Sequence, residues 1–167
     1  MKTTTAILLS IFAFVKMEAQ CKQEYKSLEW FHNDVTAFVM YNFYDRGDCY
    51  IDRIFSDFIH DLGMPIDNIS LLINKNNPDE VHGITVNVYD EEITNQRIKL
   101  KQEPHNIRVY FESPIPRNEF TPFVEKNTKN IKWNWEIKAL LAPKLILATR
   151  THVYSYSRYY ESYSKKN

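Results

Sequence analysis

The residues of this chain whose types and spacing suit chemistry are a pair of cysteines, Cys21 and Cys49, and a helical-spaced trio, Asp57, His60 and Asp61. A cysteine can be crosslinked, ligate a metal or act as a nucleophile, and its compartment and neighbours decide which. Cys49 reads as lying just inside a helix N-terminus, where the helix dipole favours a thiolate. Catalysis by that thiolate would need a histidine beside it. His60 is about eleven residues further along the same helix, which at 1.5 Å per residue places it about 16 Å away. A Cys21–Cys49 disulfide is the better expectation, closing a loop of about 28 residues and contributing about 3 kcal/mol by restricting the unfolded chain.

Asp57, His60 and Asp61 stand at i, i+3 and i+4, so one helix face can present all three to a divalent metal. The plainer explanation is a solvated acidic face with a histidine complementing the negative helix end. Glu29 and His32 have the Glu-x-x-His spacing of di-iron bundles, which need two such motifs and further carboxylates; one is present. Arg46-Gly47-Asp48 matches a cell-adhesion tripeptide, yet a turn followed by an N-cap accounts for Gly47 and Asp48. Asn68-Ile69-Ser70 is a formal glycosylation sequon, of consequence in a eukaryotic secretory pathway.

Trp133 and Trp135 suggest a sugar-stacking platform, but alternation with Ile131 and Ile137 reads as one buried strand face. For a partner-binding surface, the better candidates are Tyr154, Tyr156, Tyr159 and Tyr160 near the C-terminus, which can dock a partner or lie along a sheet edge. The chain has three glycines, and it contains no Gly-x-Ser-x-Gly elbow, His-Glu-x-x-His, Gly-rich phosphate loop or Cys-x-x-Cys. No cofactor is expected.

Compartment is read from the N-terminus. Lys2, an apolar run over 6–15 and Ala19 have the layout of a cleavable secretory signal peptide, residues 1–19. The run is far shorter than the roughly 20 apolar residues that span a bilayer, and no later segment approaches that length. Cys21 beyond the cleavage point raises the alternative of a lipid anchor, which Glu18 and Gln20 do not fit. The chain is therefore expected to be exported, periplasmic or extracellular. Its 21 basic and 21 acidic residues balance, which argues against nucleic acid or an anionic membrane as partner.

These residues need a scaffold. Leu28, Phe31, Val35, Phe38, Val39 and Asn42 recur at helical spacing and predict a helix over 27–43 with Ser27 as N-cap. Ile51, Ile54, Phe55, Phe58, Ile59 and Leu62 form a second stripe, with Asp48 as its cap and Gly63 at its end. The run 66–73 has no firm assignment. From Ile84 the period becomes 2: strands are expected around Ile84–Val88, Ile98–Leu100, Ile107–Phe111 and Ile131–Ile137, then an extended stretch from Leu145. Ser113-Pro114-Ile115-Pro116 is expected to end the third of these, with a short helical turn over 117–126.

The sum is one α+β domain over 20–167: two N-terminal helices on one face of a mainly antiparallel four- to five-stranded sheet. Function is expected to be that of a small exported binding or interaction protein, inhibitor- or immunity-type being a special case, with a protein or small ligand as partner. Two alternatives stand beside it. One is a hydrolase or metal-dependent enzyme with a helix–sheet pocket around Asp57, His60 and Asp61; the other is a lipid-anchored envelope component.

Overall fold

Alternating apolar residues need a covered face, and five strands supply one. In the computed structural model, which describes Cys21, residues 23–124 and residues 130–151, these are β1 (Asn68–Asn74), β2 (Asn77–Asn87), β3 (Asn106–Pro116), β4 (Asn130–Lys132) and β5 (Ile146–Thr151). They form one sheet in the order β4-β1-β2-β3-β5, with every pairing antiparallel. The expected signal peptide and Tyr154, Tyr156, Tyr159 and Tyr160 lie outside the described residues.

Ile69, Ile84, Val86, Ile107, Val109, Phe111, Ile131 and Ile146 are all buried in the core. Val81 joins them although its parity is opposite to that of Ile84. A register shift between Val81 and Gly83 against β3 turns both residues inward. Gly83 is required there, since a Cβ would lie 2.3 Å from the Val109 carbonyl oxygen.

The N-terminal helices pack against this sheet. α1 (Val35–Val39) starts at Asp34, whose carboxylate accepts from Ala37 N at 3.0 Å, and runs on as a π-helix over Met40–Asp45. A 3-10 turn (Gly47–Tyr50) leads to α2 (Phe55–Leu62), which ends at Gly63 with φ 58°, as its position in the sequence implies. Between them is an aromatic core. Phe43 stacks on Tyr50 at 5.5 Å and Phe55 on Phe58 at 5.4 Å, while Phe55 meets Phe111 of β3 edge-on at 5.8 Å. This is the expected α+β architecture.

Several elements differ from their sequence reading. The first helix starts at Val35, not Ser27, because His32 and Asn33 both take left-handed backbone (φ 54° and 64°) and break the chain after a 3-10 turn at Glu29–Phe31. Asp48 sits in the Gly47–Tyr50 turn and does not cap α2, whose N-cap Ile54 has no side-chain bond. The unassigned run 66–73 supplies β1. The segment with Ile98 and Leu100 is α3 (Glu91–Lys99), capped by Asp90, acidic in its first turn and basic in its last. It buries no residue, so its helical period had no apolar stripe to declare it.

β3 runs through Ser113-Pro114 to Pro116, since Ile115 is paired with Val81. The expected strand through Trp133 and Trp135 is divided: β4 stops at Lys132, and Asn134 caps α4 (Trp135–Leu141) by accepting from Ile137 N at 2.9 Å. Trp133 packs partly buried on the core, whereas Trp135 is 75% exposed at the helix start.

Candidate functional site

Residues 23–27 have no helix or strand of their own, yet their backbone is held by three side chains of the π-helix and its C-cap. Cys21 is bonded to Cys49 with their Cα atoms 4.6 Å apart, so the expected disulfide is present. Asn42, fully buried on the π-helix, takes the backbone of Lys26 between its amide atoms: Oδ1 accepts from Lys26 N at 3.2 Å and Nδ2 donates to Lys26 O at 2.8 Å. Arg46 Nε donates to Gln23 O at 2.9 Å, and Tyr41 OH to Glu24 O at 3.1 Å. Tyr25 OH reaches across to Asp61 O on α2 at 2.9 Å.

Helical spacing explains why these residues act together. Phe38, Asn42 and Arg46 lie at four-residue intervals, so a side that is apolar at Phe38 becomes hydrogen-bonding one turn later. Arg46 is 4% exposed, and a buried guanidinium is tolerated when its donors are used. Besides Gln23 O, it faces Asn42 Oδ1 at 3.3 Å and Tyr50 OH at 3.5 Å. Tyr50 OH in turn donates to Asp61 Oδ2 at 3.1 Å, linking buried cation and carboxylate through one phenol. Burial, reinforced by the Asp61 charge, pushes the Tyr50 phenol far above its ordinary range, so it stays a donor. Burial and then Asp61 also raise Tyr25, against a smaller opposing effect of Arg46.

This arrangement accounts for the acidic trio. Asp57 pairs with Arg53 at 3.1 Å; Asp61 is shared by Tyr50 and by Arg53 at 3.8 Å; His60 is exposed, with Nδ1 3.5 Å from Asp61 Oδ1. The two carboxylates thus face an arginine across the helix surface. Among the described residues, no group of three or more His, Cys, Asp or Glu is arranged to hold a metal ion. Asn68 of the sequon is buried, bonded to Asn87 Nδ2 at 2.6 Å and to Asp67.

The segment over residues 23–27, a strap across the π-helix, has an outer surface. Trp30 is 46% exposed and lies roughly parallel to Tyr41 with ring centres 6.4 Å apart. Lys26 Nζ sits 3.5 Å from the Trp30 ring centre and 5.0 Å from that of Tyr41, close enough for the rings to attract its charge. Tyr25, also exposed, packs edge-on against Phe38. Trp30 and Tyr41 thus form an exposed-to-half-buried aromatic pair with the Lys26 cation against both rings.

A second polar site lies at the far end of α1. His105, 4% exposed and in left-handed backbone, shares a 2.9 Å hydrogen bond between Nε2 and Thr36 Oγ1. With Thr36, Val39, Met40, Asn106 and Thr151 it lines a cavity of about 10 Å³, room for a single water molecule. Burial, aided by the Arg97 charge and opposed by Asp34, lowers the imidazole to about 4, so it is neutral at pH 7.

No protein-family model, curated protein or solved structure matches this chain. No helix among the described residues is long and apolar enough to cross a membrane. Sequence reasoning located the disulfide but overlooked Asn42, Arg46 and Tyr50. The available clue was Asn42 itself, a polar residue on an otherwise apolar stripe.

Proposed function

We propose that this chain is an exported interaction protein that engages its partner through the aromatic pair of Trp30 and Tyr41. The observation that carries this reading is Trp30: a large ring, 46% exposed, yet held in place by stacking on Tyr41 and by Lys26. Exposed aromatic residues, tryptophan and tyrosine above all, recur at the centres of protein interfaces. A ring already fixed loses less conformational freedom on association than a mobile one.

Export is supported by two independent features. One is the short apolar leader in the sequence. The other is the Cys21–Cys49 bond, which persists in oxidising compartments and is rare in the cytosol. The same bond occupies the Cys21 sulfur that a lipid anchor would use, which favours the exported form over the anchored alternative. Site-specific photo-crosslinking from position 29, next to Trp30, tests the proposal: a discrete adduct that disappears in Trp30→Ala is expected in cells that export the protein.

A further inference from the structure

The face of the sheet opposite the aromatic core carries a row of polar side chains. The strand register aligns Asn130 of β4, Ser70 of β1, Thr85 of β2, Arg108 of β3 and Arg150 of β5. At one end of the row, two arginines lie directly opposite each other on neighbouring antiparallel strands. Side chains so placed have Cβ atoms about 5 Å apart, and like charges in that position repel. Both are exposed.

The other described arginines are spoken for. Among the six described arginines, Arg46 and Arg97 hold backbone carbonyls, Arg53 pairs with Asp57, and Arg117 donates to Pro78 O. Arg108 and Arg150 are the two with no hydrogen bond or ion pair among the described residues, and they are the two placed side by side. Lys132, at the far side of the sheet, is neutralised by Asp67. The acid next along β3 on this face is Glu112, four residues from Arg108 and so about 13 Å away along the strand. Tyr110 intervenes, half-buried.

We propose that Arg108 and Arg150 form an oxyanion site that takes a phosphate or sulfate group. Each guanidinium presents a planar fork of donors that fits two oxygens of such a group, and a doubly charged tetrahedral anion can satisfy both forks and cancel their repulsion. Thr85, beside Arg108 in the row, adds a hydroxyl on the same face. The chain as a whole is neutral, so this local excess of two positive charges is a property of the strand register and not of composition.

Thermal unfolding of the intact oxidised protein tests the site, with sodium phosphate or sulfate compared against chloride at matched ionic strength. Both anions stabilise proteins generally through exclusion from the surface, so the readout is the wild type minus each variant, Arg108→Gln and Arg150→Gln. Lys99→Gln, on the exposed α3, serves as a charge-matched control. The expected result is an extra midpoint rise of about 3 °C in the wild type and the control, absent in both arginine variants. At low salt without the anion, the arginine variants should unfold no earlier than the wild type. A sulfated oligosaccharide that binds more tightly than the free ions, with the same dependence on both arginines, supports the site and assigns the group to a glycan. An equal response from wild type and both arginine variants would overturn the proposal.

Discussion

Asn42 grips the backbone of Lys26 from both sides, accepting from its N–H at 3.2 Å and donating to its carbonyl at 2.8 Å. One buried amide thereby does for an irregular segment what a neighbouring strand does within a sheet. Asn42→Leu keeps the branched shape and removes both bonds, leaving Lys26 with unsatisfied groups and Arg46 with one acceptor fewer. Loss of about 3 kcal/mol is expected in urea unfolding, since orphaned partners cost more than the bond itself. An unchanged midpoint would show that water replaces the clamp.

The disulfide holds the same strap at Cys21. Closing 28 residues of chain restricts the unfolded state, so Cys21→Ala/Cys49→Ala should lose about 3 to 4 kcal/mol. Because Asn42, Arg46, Tyr41 and Tyr25 also hold residues 23–26, the fold should survive this loss, with near-native circular dichroism. Intact mass of the exported protein should show a chain beginning at Gln20 and two hydrogens lighter than its dithiol form.

His105 sets a pH dependence whose sign follows from its burial. The unfolded imidazole takes up a proton near 6.5, but the folded one does so only at about 4. Between those values the unfolded chain holds more protons, so stability is full above pH 6.5 and declines as pH falls towards 4, by about 3 kcal/mol in all. His105→Asn tolerates the left-handed backbone and does not titrate. Its stability should therefore fall less steeply over that window than the wild type's, as measured by urea midpoints at pH 7, 5.5 and 4.5.

Gly83→Ala probes the β-bulge that lets Val81 and Ile84 share the core. The new methyl would meet the Val109 carbonyl at 2.3 Å and the Tyr110 Cα at 3.0 Å, both backbone atoms that cannot rotate away. The β2–β3 register must shift, at an expected cost of about 3 kcal/mol, near the upper end for overpacking. Thermal unfolding should register it; a variant as stable as wild type would mean that the strands separate freely at the bulge.

Fold class was legible because its evidence is periodic: Ile107-Arg108-Val109-Tyr110-Phe111 can be little other than a half-buried strand, and Gly63 marks the end of α2. The errors arose where period and position conflict. Ile131, Trp133, Trp135 and Ile137 alternate without a break, yet Asn134 caps a helix in their midst, so the two tryptophans have opposite fates. α3 was missed because it buries nothing, leaving caps and end charges as its sole signature. The strap was legible at Cys21 and Cys49 alone. Asn42 and Arg46 act on backbone atoms of residues 23 and 26, and no spacing rule links a side chain to a distant carbonyl.

The interaction surface at Trp30 is the central claim, and photo-crosslinking tests it most directly. A photoreactive residue in place of Glu29 is compared with one in place of Glu112, exposed on β3, each in the Trp30 and Trp30→Ala backgrounds. The account predicts a single discrete adduct from position 29, lost in Trp30→Ala, and none from position 112. Adducts of equal yield from both positions, or an adduct at 29 indifferent to Trp30, would contradict it.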